Sequence, residues 1–334
     1  MNARHEGVRF DPAAPRSHVE SYFLKANDPK ARRALWIKAT ILAPERDPSA
    51  AVAEAWAIAF REGAPNVAVK AQIPFATASF SKTSLDVTLG SLLSLTRDRS
   101  EGKIETGDRA IAWNLRLGGR EEALVHYPAA WMYEGRFPSQ KMVSPRLDAR
   151  VSGTFDVDGE RWNVDEWPGV LGHNWGRAHT PLYAWAHCNA WDGEDDVVFE
   201  AVSGKPAIGP FPSPTMLSSF YVRHRGVRYD LASPRTLLFA RSDLDWRSDP
   251  KTWRFEATND LATIEGELSC PNEDFVGLWY ANPSGPMTSC LNSKLASCRL
   301  SLALSGKPAF TVVSSRAAFE IGTLAEDHGV RMYV

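Results

Sequence analysis

The chain of 334 residues carries 38 Lys and Arg against 40 Asp and Glu, for a formal charge of −2, with 44% hydrophobic and 23% charged residues. That balance belongs to a folded globular protein with ample material for a core, and it lacks the basic surface that a nucleic-acid partner demands. The opening MNARHEGVRFDPAAPRSH has no apolar run for a signal peptide, and nothing later approaches the roughly 18 apolar residues of a membrane span. No transmembrane segment is expected, and a cytoplasmic location is.

The hydrophobic pattern repeats every two residues rather than every 3.6. Strands are expected in chain order at 34–42, 53–61, 66–73, 109–117, 150–157, 160–167, 182–191, 195–203, 217–224, 252–259, 275–282, 298–305 and 315–322. Asp158-Gly159 and Asp192-Gly193 supply the turn residues that favour tight hairpins. Only 46–55 and 286–297 suggest a turn or two of helix. Many short strands with regular turns predict an all-β protein, a sandwich or barrels. Trp36, Trp56 and Trp113 correspond to Trp185, Phe199 and Trp253 at offsets of 149, 143 and 140, which suggests two copies of one β-barrel unit. The polar, proline-bearing stretch 136–150 fits the junction, giving domains 1–145 and 146–334.

The functional signal lies in 169-GVLGHNWGRAHTPLYAWAHCNAWDG-193. Tyr183, Trp185, His187, Asn189 and Trp191 alternate with Ala184, Ala186, Cys188 and Ala190. On a strand the bulky set shares one face, as in the lining of a ligand cavity, and the small face would let another sheet approach closely. Core filling explains the same pattern. Asn174 and Trp175 follow His173 between glycines, where the chain turns or is closely approached. Glu200 is the one charge in the apolar strand 197–203; facing inward, burial would raise its pKa and make it a proton donor.

Cofactors are not expected. His173, His179 and His187 match neither HxH nor HExxH, and Cys188, Cys270, Cys290 and Cys298 show no CxxC spacing, so no metal site is expected either. Phosphate-binding glycine loops and a GxSxG nucleophile motif are absent.

The run Asn174-Trp175-Gly176, Pro181 and 183-YAWAHCN-189 resembles the tocopherol cyclase pattern, with His187 at a glutamine position. The segment 19-VESYFLKANDPKARRALWIKAT-40 is similar to the N-terminal signature of that group. Related families are the carotenoid 1,2-hydratases (hydroxyneurosporene synthases) and AttH-type proteins. The resemblance implies two lipocalin-like (calycin-like) antiparallel β-barrel domains and a lipophilic, isoprenoid-like ligand. The chain departs from the hydratases at Gly172, where they tend to carry aspartate, and at Val198-Phe199-Glu200, where they carry Tyr-x-Asp.

The expected function is a cyclase or hydratase that protonates an alkene in an aromatic-lined cavity. Glu200 or His173 would donate the proton and His187 would orient a substrate oxygen. Asn174, Trp175, Tyr183, Trp185, Asn189 and Trp191 would bind the substrate. Two other classes fit the sequence: a carrier that only binds a hydrophobic small molecule, and a lipocalin-like pericyclase that works by shape.

Overall fold

The computed structural model describes residues 5–135, 138–194, 196–208, 211–213, 215–285 and 287–334. Asp195, at the head of one expected strand, lies outside the described residues, as do 136–137 of the expected junction and Pro286.

Two antiparallel sheets contain nearly all of the described strands, twelve in one and ten in the other. In the first, His18–Asn27, Arg33–Ala43, Val52–Arg61 and Val67–Pro74 follow one another outward. The long hairpin Gln140–Val157 and Glu160–Gly176 then returns beside His18–Asn27, and Arg109–Arg120 and Arg99–Thr106 extend the far side. The second sheet repeats this order with Leu182–Cys188, Val197–Gly204, Leu217–His224 and Val227–Leu231. Its returning hairpin is Thr288–Leu304 and Phe310–Thr323, followed by Ala262–Cys270 and Lys251–Thr258. The fold is therefore a duplication in topology.

The tryptophan correspondence is one strand out of step with this topology. Trp36 lies on the second strand of its sheet and Trp185 on the first strand of the other, because tryptophans recur too often here to fix an alignment. The strand Gln140–Val157 runs through position 145, and the chain passes from the first sheet to the second between Gly176 and Leu182.

Each sheet curls over its own core. In the first, the Lys70 amide donates to Thr106 Oγ1 at 3.1 Å, bringing distant strands together. In the second, Asn259 Nδ2 donates to the Asp230 carbonyl at 2.9 Å. The enclosed faces carry many small side chains: Ala53, Ala55, Ala57 and Ala59 in one, Ala184, Ala186 and Cys188 in the other. The opposite faces carry Trp36, Trp56, Ile58 and Phe60 from the first sheet and Trp185, Val276, Leu278 and Ala318 from the second, and these meet as a third core. Curling a sheet tightly favours small residues on the concave side, and the bulk then serves the contact between sheets.

This answers the alternation at 183–191. The small face is enclosed within the second sheet, and Tyr183, Trp185, His187 and Asn189 face the first sheet. Trp191 lies past the end of its strand at Cys188 and joins the enclosed core instead, its Nε1 donating to the Val197 carbonyl at 2.9 Å. From Thr288 onward the expected helical turn at 286–297 is instead a strand. Thr288–Leu304 is buried along its first nine residues, so covering on both faces erased the alternation that would have marked it.

The N-terminal segment is fastened by one carboxylate. Fully buried Glu20 accepts from the backbone amides of Arg9 (3.0 Å) and Phe10 (3.1 Å), from His18 Nε2 (2.8 Å), His173 Nε2 (2.8 Å) and the Tyr22 hydroxyl (3.0 Å). Burial opposes its charge, but the hydrogen bonds and charges of His173 and His18 outweigh it and hold the pKa down to about 2. Removing one partner of such a network strands the others in the interior. Glu20→Ala is expected to cost about 3–5 kcal/mol, read by urea unfolding, and to free the segment before Val19 for proteolysis.

Candidate active site

A cavity of about 150 Å³ lies between the sheets and reaches the surface. Its apolar wall is built by Phe23 and Trp36 of the first sheet, Met142 of the returning hairpin, and Trp185, Val202 and Leu217 of the second. Two short helices complete it, Trp131–Glu134 through Met132 and Pro234–Phe239 through Leu237. Phe23 and Trp185 meet edge to face, with ring centroids 5.4 Å apart. Glycine makes room for this wall: a Cβ on Gly172 would stand 2.1 Å from Phe23 Cζ. The position where the hydratases tend to carry aspartate is therefore filled here by the Phe23 ring.

One side of the cavity is polar, lined by Lys38, His179, Tyr183, Tyr280 and Glu320. The Tyr183 hydroxyl donates to Glu320 Oε1 at 2.7 Å. Burial raises the Tyr183 pKa well above its usual value, and the neighbouring Cys290 and Glu320 push the same way. The Lys38 ammonium lies 3.6 Å from the centre of the Tyr280 ring. Burial lowers the Lys38 pKa, with Glu320 acting against that shift. Burial raises the Tyr280 pKa well above its usual value, with neighbouring Cys290 and Glu320 pushing the same way. Such an amphipathic cavity, with aromatic and aliphatic walls and a few convergent polar groups, is the kind of arrangement that suits a lipophilic ligand.

The residues singled out in the sequence divide into those that line this cavity and those that lie behind or beyond it. Asn174, Tyr183 and Trp185 line it. Glu200 stands behind Trp185, its Oε1 accepting from the indole Nε1 at 2.9 Å and from Ser144 Oγ at 2.9 Å, with His126 Nε2 at 3.5 Å. Burial opposes its charge, as the sequence reading expected. The charge and hydrogen bond of His126, then His187 and Trp185, prevail and lower the pKa instead of raising it. In this setting Glu200 is an anion that anchors Trp185 and ties it to the first sheet through Ser144.

His187 is also buried away from the cavity, with Nε2 at 2.9 Å from the Leu147 carbonyl. His173 sits between Glu20 and the His5 carbonyl (2.8 Å) and stacks on Tyr22 at 4.1 Å. Trp175 packs against Tyr133 and under the Arg9 guanidinium, 5.0 Å from its ring. Asn189 donates to Asp148 Oδ1 and to the Gly169 carbonyl, each at 3.0 Å, tying the sheets together at another point.

The sequence does not single out Glu320, Lys38 or Tyr280, and it raises His179 only as a metal ligand. Glu320 lies in 315-SRAAFEIG-322, the same apolar-strand-with-one-acid pattern that drew notice to Glu200. Only register separates the two: Trp185 pairs with both Val202 and Glu320, on the two strands flanking its own.

Two sheets of one topology, each curled over its own core and meeting at a ligand-sized cavity, define a lipocalin-like protein of the type found in hydratases and cyclases. The chain belongs to the tocopherol cyclase-like family, whose sequence profile matches residues 142–323, more than half of its length. The fold is similar to that of a putative AttH (NE1406) from Nitrosomonas europaea, with a TM-score of 0.56 and 14% identity over 98% of each chain. Kievitone hydratase from Nectria haematococca matches with a TM-score of 0.52 and 10% identity, over 97% of this chain and 98% of that one. CghA matches at 0.50 and 11%, over 93% of this chain and 89% of that one. At these identities the likeness is one of fold. In sequence the chain is 25% identical over 291 residues to the uncharacterized proteins Rv0493c (strain ATCC 25618 / H37Rv) and MT0513 (strain CDC 1551 / Oshkosh) of Mycobacterium tuberculosis. Those matches span 85% of this chain and 81% of each relative.

Two measurements check this geometry. A Cβ on Gly322 would stand 1.9 Å from Tyr183 Cε1. Gly322→Ala is therefore expected to displace the Tyr183 ring from Glu320 at a cost of about 1–3 kcal/mol, read by urea unfolding. Burial, aided by Lys38 for His179 and by Lys25 for His187, pushes both imidazoles down to about 3. The unfolded chain takes up these protons first, at about pH 6.5. The stability linked to both is thus complete above about pH 6.5 and declines as the pH falls toward about 3. Imidazole nitrogen NMR should show both rings neutral at pH 5, and titration of either near 6.5 would refute the burial assigned here.

Proposed function

We propose that the chain is an enzyme that adds water or an internal hydroxyl across a carbon–carbon double bond of a lipophilic substrate, isoprenoid in the simplest case, by proton transfer in this cavity. The observation that carries the reading is the Tyr183–Glu320 hydrogen bond on the polar side of a cavity whose other wall is apolar. A carboxylic acid is a far stronger proton donor than the phenol and ammonium groups that line the cavity beside it, and burial keeps the His179 imidazole without a proton to give.

In the proposed cycle Glu320, in its acid form, gives its proton to one alkene carbon while Tyr183 holds its other oxygen. The hydroxyl or water adds to the neighbouring carbon and returns its proton to the Glu320 carboxylate. Protons balance, and the enzyme is regenerated without a redox step. Positive charge developing on the substrate is stabilised by aromatic faces. Its place is limited by the lysines, since Lys38 and Lys294 lie 5.6 and 5.9 Å from the centre of the Trp36 ring. The alkene therefore belongs against Phe23, with Lys38 and the Tyr280 hydroxyl taking an oxygen at the polar end. Glu200 acts in this reading as a positioning residue through Trp185.

Native mass spectrometry of the purified protein, followed by denaturation, identifies any lipophilic molecule that co-purifies and so selects substrates to assay. With a substrate in hand, Glu320→Gln is expected to lower kcat about 10²–10⁴-fold while leaving binding within a few-fold. Glu200→Gln should act on KM and stability more than on kcat. Binding without turnover in the unaltered protein would favour a carrier. Turnover that survives Glu320→Gln would favour a shape-directed pericyclase.

A further inference from the structure

We propose that the protein docks on a lipid bilayer through the tips of its two short helices, so that the lipophilic substrate enters the cavity from the membrane. The inference rests on the reading of that cavity as the substrate site. The two α-helices among the described residues both flank it, and each turns one side chain into it, Met132 from one and Leu237 from the other. The residues next to these point outward. Trp131 is 60% exposed, Leu238 56% and Phe239 77%, and Trp131 and Phe239 are the most exposed large hydrophobic side chains among the described residues.

Elsewhere on the surface, exposed Leu261 lies in a strand-connecting turn, Leu324 just past the last strand, and Val125, Val227 and Val313 on strands; none of them lines the cavity. Large apolar tips beside a cavity are costly to leave in water, and they gather where a surface has a partner.

A bilayer fits these tips better than a protein partner does. They stand on two separate helices of four and six residues and form no continuous groove for a peptide or helix to fill. Tryptophan and phenylalanine with nearby cations are the composition that settles at the boundary between headgroups and acyl chains. Arg177 and Arg235 supply the cations. Both are exposed, neither forms an ion pair among the described residues, and each lies two positions from a cavity-lining residue, His179 and Leu237. Glu134, at the end of the first helix, is acidic and exposed, and it leaves two arginines against one carboxylate among these residues. A substrate that suits an apolar cavity is itself concentrated in membranes, so docking shortens its path through water.

The test is flotation of the full-length protein with vesicles of equimolar phosphatidylcholine and phosphatidylglycerol, compared with phosphatidylcholine alone. The unaltered protein is expected to float with the anionic vesicles and to bind the neutral ones more weakly. The triple variant W131S/L238S/F239S is expected to lose at least about tenfold in the bound fraction. L261S, at an exposed apolar site away from the cavity, should float like the unaltered protein. Circular dichroism melting of the triple variant should be unchanged, because none of the three side chains is buried.

Failure of the unaltered protein to float overturns the proposal, as does full flotation of the triple variant. A concentration-dependent dimer in light scattering, abolished by the triple variant, would overturn it in favour of a second copy of this chain. Flotation requires neither substrate nor turnover. E320Q should float normally, so a failure of docking is distinguishable from a failure of the catalytic reading.

Discussion

Both sheets are covered on both faces along their central strands, and the rest of the structure follows from that constraint. A sheet that curls over a core normally leaves its outer face to solvent, with polar side chains there. Here the outer faces meet, so bulky side chains fill the gap and polar ones must find partners within it. Lys25 donates to Asn27 Oδ1 at 2.9 Å, and Asn27 Nδ2 donates across the gap to the Lys294 carbonyl at 2.7 Å. Burial pushes Lys25 down to about 7 and Lys294 to about 8, against the attraction of neighbouring acids. Arg223 Nη2 reaches Asp148 Oδ2 at 2.6 Å across the same seam. Such pairs add little net stability compared with apolar packing, but each fixes one sheet against the other in register.

The cavity is the place where this packing is left incomplete. Its wall depends on contacts that cross the seam: Ser144 from the first sheet holds Glu200, which holds Trp185, which faces Phe23 of the first sheet again. A site assembled from two sheets in this way gains precision from buried polar ties that no single sheet could supply. A buried glutamate thus shapes the cavity wall through Trp185 without itself lining the cavity.

Much of the fold was legible because hairpins that keep one polar face show a clean period of two. Lys251–Thr258 and Arg109–Arg120 appear in the sequence nearly as they stand in the structure. The central strands were harder. His18–Asn27 is buried almost throughout yet contains Glu20, Ser21, Lys25 and Asn27, so neither alternation nor a hydrophobic run marks it. Within the site, Tyr183, Trp185 and Asn174 could be found because they share a compact motif. Lys38, Tyr280 and Glu320 could not, since they come from three distant strands and only sheet register brings them to one cavity. The alternation at 183–189 shows two unlike faces, and parity alone does not say that the small one is enclosed while Tyr183 and Trp185 line a cavity between the sheets.

The meeting of outer faces also bears on how the protein is made. The first sheet is complete once Gly176 has been synthesised, yet Trp36, Trp56, Ile58 and Phe60 have no cover until the second sheet forms. At ordinary translation rates that interval is on the order of ten seconds, long enough for an apolar face to find another nascent chain. The same ribosome then delivers the remedy, since residues 182–323 emerge tethered by only a few residues to the face they must cover. The duplication thus places each half where it shields the other, and the short passage between Gly176 and Leu182 presents the covering sheet at high effective concentration once it is made.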